Sequence, residues 1–192
     1  AVRELRINND DKIAKKLAAK PYQFREMHET TTNSLVIPSV SSENREYIPV
    51  GFIDKKTVVS NLAFVIYDCD PWIFGVVSSK MHNLWIRAVC GGLETRVRYS
   101  SELGYNTFPF PEINDEQKKL IRRCVNQIIA AREEEFDKTY AQMYKKDEMS
   151  QNLLFAHSML DIQIERCYRE EPFLSDEERL DCLFALYERI GG

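Results

Sequence analysis

The segment Asn106-Thr107-Phe108-Pro109-Phe110-Pro111 limits the fold of this chain more than any other. Each proline locks its own φ, lacks an N–H and pushes the preceding residue out of the helical region, so no regular helix or central strand can run through it. The chain changes character there. Upstream, helical periodicity alternates with β-rich runs; downstream, the pattern is of amphipathic helices only. The 192 residues therefore read as an α+β chain in two parts. Residues 1–112 form a mixed α/β domain with a small sheet around a central helix, and residues 113–192 form a mainly α-helical domain of about three helices.

Within the first part, Ile13, Leu17 and Ala18 predict one short helix over residues 10–20, stopped by Pro21. Three runs rich in β-branched and aromatic residues predict strands: Leu35-Val36-Ile37, 47–53 and 57–67. Asp70-Pro71 carries an N-cap and first-turn signature. Ile73, Val77, Met81, Leu84 and Ala88 then recur at helical spacing, predicting one buried central helix that ends at Gly91-Gly92. The run 93–100 alternates with period two. It predicts one strand with Leu93, Thr95, Val97 and Tyr99 facing the core and Glu94, Arg96 and Arg98 on the opposite face.

In the second part, an Asn114 cap opens a long helix with Leu120, Ile121, Val125, Ile128, Ile129 and Phe136 inward. A second helix spans about residues 150–170 with Leu153, Ala156, Leu160, Ile164 and Cys167 inward. A third follows Pro172 behind a capping box from Ser175 to Glu178, with Leu180, Leu183, Phe184 and Tyr187 inward.

The formal charge of -4 is unevenly placed. Residues 1–112 carry 14 Lys+Arg against 13 Asp+Glu, whereas residues 113–192 carry 12 against 17. Binding to nucleic acid needs a local basic surface and not a basic whole, so an acidic total leaves that partner open. A signal sequence and a membrane-length apolar run are both missing, which predicts a protein with no membrane contact. Five scattered cysteines without a CxxC pair fit a reducing cytoplasm.

Catalytic motifs are sparse. The seven glycines make no phosphate-binding loop, and His28, His82 and His157 share no metal-ligand spacing. Asp10-Asp11-Lys12 and Asp54-Lys55-Lys56 supply only the last element of a metal-dependent nuclease motif. No catalytic residue, metal ligand or cofactor is assigned to this chain.

Three polar groupings remain. Arginine forks match the two major-groove acceptors of guanine and a carboxylate can accept from the cytosine amine, so Glu94, Arg96 and Arg98 could address base edges. The same face could equally be a solvated strand laced by cross-strand ion pairs. Ser41, Ser42 and Arg45 lie in a polar loop, Ser39–Arg45, whose donors suit phosphate oxygens or a solvated turn. Lys80, Asn83 and Arg87 recur at spacings of three and four, so they share a helix face that could meet a backbone or simply water.

As a group these segments resemble a known family. Val36-Ile37-Pro38-Ser39-Val40-Ser41-Ser42-Glu43-Asn44-Arg45-Glu46-Tyr47-Ile48-Pro49-Val50-Gly51-Phe52, Ser79-Lys80-Met81-His82-Asn83-Leu84-Trp85, Gly91-Gly92-Leu93-Glu94-Thr95-Arg96-Val97-Arg98-Tyr99-Ser100 and Tyr105-Asn106-Thr107-Phe108-Pro109-Phe110-Pro111 resemble the target recognition domain of MmeI-like enzymes. Tyr168-Arg169 and Phe173-Leu174-Ser175-Asp176-Glu177-Glu178-Arg179-Leu180 look like the helical domain that follows it. These are bacterial, single-chain adenine-specific DNA methyltransferases of restriction-modification systems, many fused to a nuclease.

The resemblance implies double-stranded DNA as partner, together with a methyltransferase domain of the same parent chain. S-adenosylmethionine would bind that parent domain and not this fragment. Glu94 and Arg96 match the positions that read one base pair, with Arg98 a third candidate. Ser41, Ser42 and Arg45 would hold phosphates, and Lys80, Asn83 and Arg87 are further backbone candidates. The family's Asn/Asp-Pro-Pro-aromatic motif is not matched, since Asp70-Pro71-Trp72 has one proline. An opening at Ala1 without Met agrees with a C-terminal fragment that specifies while the rest of the parent reacts. The competing expectation is a protein interaction module whose C-terminal helices dock a partner with no DNA contact.

Overall fold

The computed structural model describes residues 1–24, 28, 30–93 and 96–191. Its α+β chain forms two compact units, Ala1–Thr31 and Thr32–Gly192. In the first unit, helices α1 (Val2–Ile7) and α2 (Lys12–Leu17) form a short hairpin. The expected single helix over 10–20 is thus shorter and preceded by another. Asn9 Oδ1 accepts from Asp11 N, and Asp11 in turn caps α2 through Ile13 N at 2.7 Å, so the polar run 8–11 ends one helix and starts the next. Arg6 closes the hairpin, donating to the carbonyls of Leu17, Lys20 and Gln23 at 2.6–3.1 Å.

The second unit holds two small antiparallel sheets. In the first, β1 (Ser34–Pro38) lies between β3 (Gly51–Ile53) and β4 (Ala63–Ile66), with Leu35 opposite both Phe52 and Ile66. In the second, β6 (Arg96–Arg98) lies between β2 (Val40–Ser41) and β5 (Gly92–Leu93). Ser39 hands the chain from one sheet to the other: its N–H donates to Leu62 O at 3.1 Å and its carbonyl accepts from Tyr99 N at 2.9 Å. The expected strands over 47–53 and 57–67 are confined to their last few residues. Tyr47, Ile48 and Val50 are buried without strand pairing, held instead by side chains from distant helices.

The expected central helix is two helices, α3 (Pro71–Ser78) and α4 (Lys80–Val89), broken where Ser79 adopts an extended ψ of 161°. Side chains meet the orphaned backbone groups on both sides of the break. Ser78 and Ser79 hydroxyls donate back to Phe74 O and Val76 O at 2.7 Å, Asn83 Nδ2 donates to Ser79 O at 2.7 Å, and Asp161 accepts from Lys80 N at 2.7 Å. Ala88 is exposed and not in the core. Helix α4 ends where expected, at Val89 with Cys90 as its cap directly before Gly91, and Gly92 already opens the next strand.

After the prolines, α5 (Asp115–Glu133), α6 (Tyr140–Met143), α7 (Gln151–Glu165) and α8 (Asp176–Gly191) follow. A reciprocal capping box starts α5, Gln117 N to Asn114 Oδ1 at 2.9 Å and Asn114 N to Gln117 Oε1 at 3.0 Å. Phe136, expected inward, lies beyond the end of α5 and is 88% exposed. At α8 only half of the expected box forms. Glu178 N donates to Ser175 Oγ, but the Glu178 carboxylate accepts from Leu174 N and Arg169 instead. Helix α5 packs on α3 and α7, and α4 on α8. Gly75 permits the α3–α5 approach, because a Cβ there would sit 2.4 Å from Ile121 Cγ2. One apolar core runs from Leu35 to Leu183, past the prolines without a break.

Candidate nucleic-acid interface

Strand β6 shows the expected alternation where it is described. Arg96 and Arg98 are exposed, Val97 is half-buried against the core and Tyr99 is buried. Tyr99 OH lies 3.0 Å from Nε2 of His82 on α4, and Phe108 meets that imidazole edge-on at 4.6 Å. Burial pushes His82 down to about 3, so the ring that anchors β6 is neutral. Glu94, like Thr95, lies outside the described residues. Leu93 pairs with Arg96 in antiparallel register, so the expected continuous strand 93–100 is two strands of a β-ribbon.

Pairing also decides the fate of Ser41. It lies opposite Val97, on the inward face of the sheet, and is only 3% exposed; its Oγ is the acceptor for Arg45 Nη1 at 3.3 Å. The expected loop position is therefore a core-facing strand position. Ser42 begins the turn that follows, accepting from Asn44 N at 3.3 Å. Arg45 is half-buried, and its Nε has no hydrogen-bond acceptor.

Lys80, Asn83 and Arg87 do share one side of α4, and with Arg45 they line a single groove. Their environments differ. Asn83 is 2% exposed, with Oδ1 taken by Ile48 N at 2.9 Å and Nδ2 by Ser79 O, so the expectation that it faces solvent is corrected. Arg87 is a strut for the preceding loop: its guanidinium donates to the carbonyls of Glu43 at 3.0 Å and Arg45 at 2.5 Å. Lys80 reaches Asp176 of α8 at 3.2 Å.

Beneath the groove lies a buried polar brace that sequence reasoning missed. Tyr47 OH donates to Asp161 Oδ2 at 2.7 Å, while Asp161 Oδ1 takes Lys80 N at the start of α4. Tyr47 stacks on His157 with centroids 4.1 Å apart. Arg132 donates to Val50 O and to Tyr144 OH, each at 2.9 Å, and Tyr144 OH, its oxygen taken by Arg132, donates to His157 Nε2 at 2.7 Å. Burial pushes Asp161 up to about 7 against the lowering pull of its two donors, and burial with the Arg132 charge pushes His157 down to about 3. The available signal was His157 and Asp161 four apart within the apolar stripe of Leu153, Leu160 and Ile164, a polar pair where a core helix wants none.

The family model for the target recognition domain of MmeI matches residues 1–112, and that for the MmeI C-terminal domain matches residues 113–191. The chain belongs to the MmeI family. It is 46% identical over 185 residues to DNA methyltransferase A of Bacillus subtilis (strain 168), a match covering 96% of this chain and 21% of that protein. The structure of the Type IIL restriction-modification enzyme MmeI in complex with DNA superposes with a TM-score of 0.90 at 37% identity, covering 99% of this chain and 25% of that one. The chain thus spans about a fifth of the curated relative it matches.

The two MmeI models abut between Glu112 and Ile113, and polar contacts cross that point as freely as the core does. Arg122 of α5 grips the Asp70 carboxylate through Nε at 2.8 Å and Nη2 at 2.5 Å, while Asp70 caps α3. Tyr168 OH donates to Pro109 O at 3.1 Å. Among the described residues no helix is long and apolar enough to cross a membrane.

Proposed function

We propose that this chain is the DNA target-recognition module of a single-chain, adenine-specific methyltransferase of a restriction-modification system. Residues 1–112 read the duplex and residues 113–192 hold them in place. The observation that carries the reading is the β5–β6 ribbon, with Arg96 and Arg98 exposed on one face and Val97 and Tyr99 tied to the core on the other. At Arg96 the β2-β6-β5 sheet is only two strands wide, since β2 pairs with Val97 and Arg98 but not with Arg96, and the major groove admits a two-stranded ribbon. Same-face residues on a strand are about 6–7 Å apart, close to two base steps of about 3.4 Å each. Arg96 and Arg98, with Glu94, read base edges; Ser42, Arg45, Lys80 and Arg87 meet or shape phosphate contacts that fix register. Ser41 and Asn83 support that loop from inside.

Methyl transfer belongs to another domain of the parent, which would bind S-adenosylmethionine. The residues here that come nearest to the family's catalytic motif do not fit it. The Asp70 carboxylate is committed to Trp72 N and to Arg122, so Asp70-Pro71-Trp72 builds a helix start.

Selection of duplexes from a randomised pool tests the reading. One enriched motif is expected, and Arg96→Ala should relax it at one position. A second reading, docking of another protein surface, draws on a cleft of about 610 Å³ between Phe110-Pro111 and α8, lined by Tyr168, Leu186 and Ile190 together with Glu112 and Arg189. A wild-type chain that retains no DNA while capturing the parent's methyltransferase domain would favour it.

A further inference from the structure

A groove of about 630 Å³ opens between two stretches far apart in sequence. One wall is the loop Glu43–Glu46 with Lys80 and Arg87 of α4; the other is the turn Lys145–Asp147 before α7. Cations line both walls; Lys80 pairs with Asp176 at 3.2 Å, while Arg45, Arg87 and Lys146 have no ion-pair partner among the described residues. Arg87 donates only to neutral carbonyls. Arg45 donates through Nη1 to the neutral Ser41 Oγ at 3.3 Å and has no ion-pair partner among the described residues, so its charge is open to an anionic oxygen. Lys145 pairs with Glu148 one turn away, where both are exposed, a pairing that adds little. Lys146 is exposed with no ion-pair partner among the described residues. Asp147 bends this turn through a left-handed φ of 61°, a conformation Asp tolerates better than most residues.

Four carboxylates, Glu43, Glu46, Asp147 and Asp176, share the lining. The near balance of charge does not suit a dense anion. It suits a chain of separated anionic points that the cations meet one at a time, fixing register without supplying most of the affinity.

We propose that this groove holds the phosphate backbone of one DNA strand, with Lys145 and Lys146 of the C-terminal part contacting it opposite Arg45. The proposal rests on the DNA-recognition reading above and extends the interface to the acidic helical domain, which otherwise only supports.

The test is equilibrium binding of the full chain to labelled duplexes, one bearing its selected site and one scrambled, across a salt series. In Lys145→Gln/Lys146→Gln the slope of log K against log salt should become shallower by about one to two, and both duplexes should weaken equally. Arg45→Gln should lower the slope by about one. Because both lysines are exposed, the double variant should melt with the wild type, so the test survives even if Arg45→Gln does not fold. An unchanged slope in the lysine variant overturns the groove while leaving motif selection by the wild type intact. A wild type without sequence preference, whose slope the lysine variant still reduces, would retain the groove and overturn the recognition reading instead.

Discussion

Arg132 and the pair Arg96 and Arg98 carry the same guanidinium in opposite surroundings. Arg132 is 5% exposed, and its donors are spent on Val50 O and Tyr144 OH; its planar face also lies against Tyr140 and Tyr144. Arg96 and Arg98 stand on an exposed strand face. The contrast separates two tasks. Groups that fix the position of the segment 47–50 are satisfied inside, where any exchange disturbs the fold. In the function proposed above, the groups that read bases are the exposed ones, where exchange would alter the partner and leave the fold intact.

The largest effect expected is on the inner member. Arg132→Ala leaves Val50 O and Tyr144 OH buried without their charged donor, and should destabilise by about 3–4 kcal/mol. A urea titration followed by circular dichroism reads this directly, and a loss below about 1 kcal/mol would mean the brace does not hold the loop. The outer member should invert the result. Arg96→Ala should change stability by less than about 0.5 kcal/mol, yet cost about 1–3 kcal/mol of binding at one base position. Equal weakening on every sequence would move Arg96 from the reading face to the phosphate contacts.

How far the contrast could be foreseen differs between the two sides. Period-two spacing placed Arg96, Arg98, Val97 and Tyr99 correctly, because a half-buried strand must alternate whatever the rest of the chain does. The same run hid the hairpin: Gly91-Gly92 has the composition of a helix cap, and nothing local marks Leu93 and Arg96 as partners. The break at Ser79 was equally hidden. Ile73, Val77 and Met81 keep their helical spacing straight through it, and the group that stabilises the new helix start, Asp161, comes from 81 residues away. Local periodicity reports which face is wet. It cannot report which distant side chain will end or begin an element, so Asn83 and Ser41 read as phosphate contacts or solvated positions although Ile48 N and the strand pairing with Val97 hold them inside.

The acid response sharpens the same comparison, since all its participants are interior. His82 and His157 are held neutral, pushed from 6.5 to about 3. Their stabilising contribution is full above pH 6.5 and is lost as pH falls toward 3, about 2 kcal/mol for each by pH 5. Asp161, raised from 3.8 to about 7, acts with the opposite sign. Its contribution is full below 3.8 and is lost as pH rises through 7, so it offsets part of the histidine loss on acidification. Two imidazoles against one carboxyl leave the wild type modestly weaker at pH 5 than at pH 7. Asp161→Asn removes the offset, so its urea midpoint should fall more steeply over that interval. Parallel pH profiles would show that Asp161 does not titrate there.

The smallest effect isolates one bond of the brace. Tyr47→Phe keeps the ring stacked on His157 and deletes only the hydroxyl that donates to Asp161. The loss in stability near pH 8 should be about 1–2 kcal/mol, since the missing bond goes to an ionised acceptor. It should shrink on acidification, because a protonated Asp161 gains less from a donor. The same bond holds the Asp161 titration down, so its removal should move that titration to higher pH, and the variant's stability profile should bend at a higher pH than the wild type's. A uniform loss at all pH values would assign Tyr47 a packing role alone. A loss that fades with acid would show that the Asp161 carboxyl on α7 and the Tyr47 phenol act as one unit, the inner counterpart of the exposed arginines on β6.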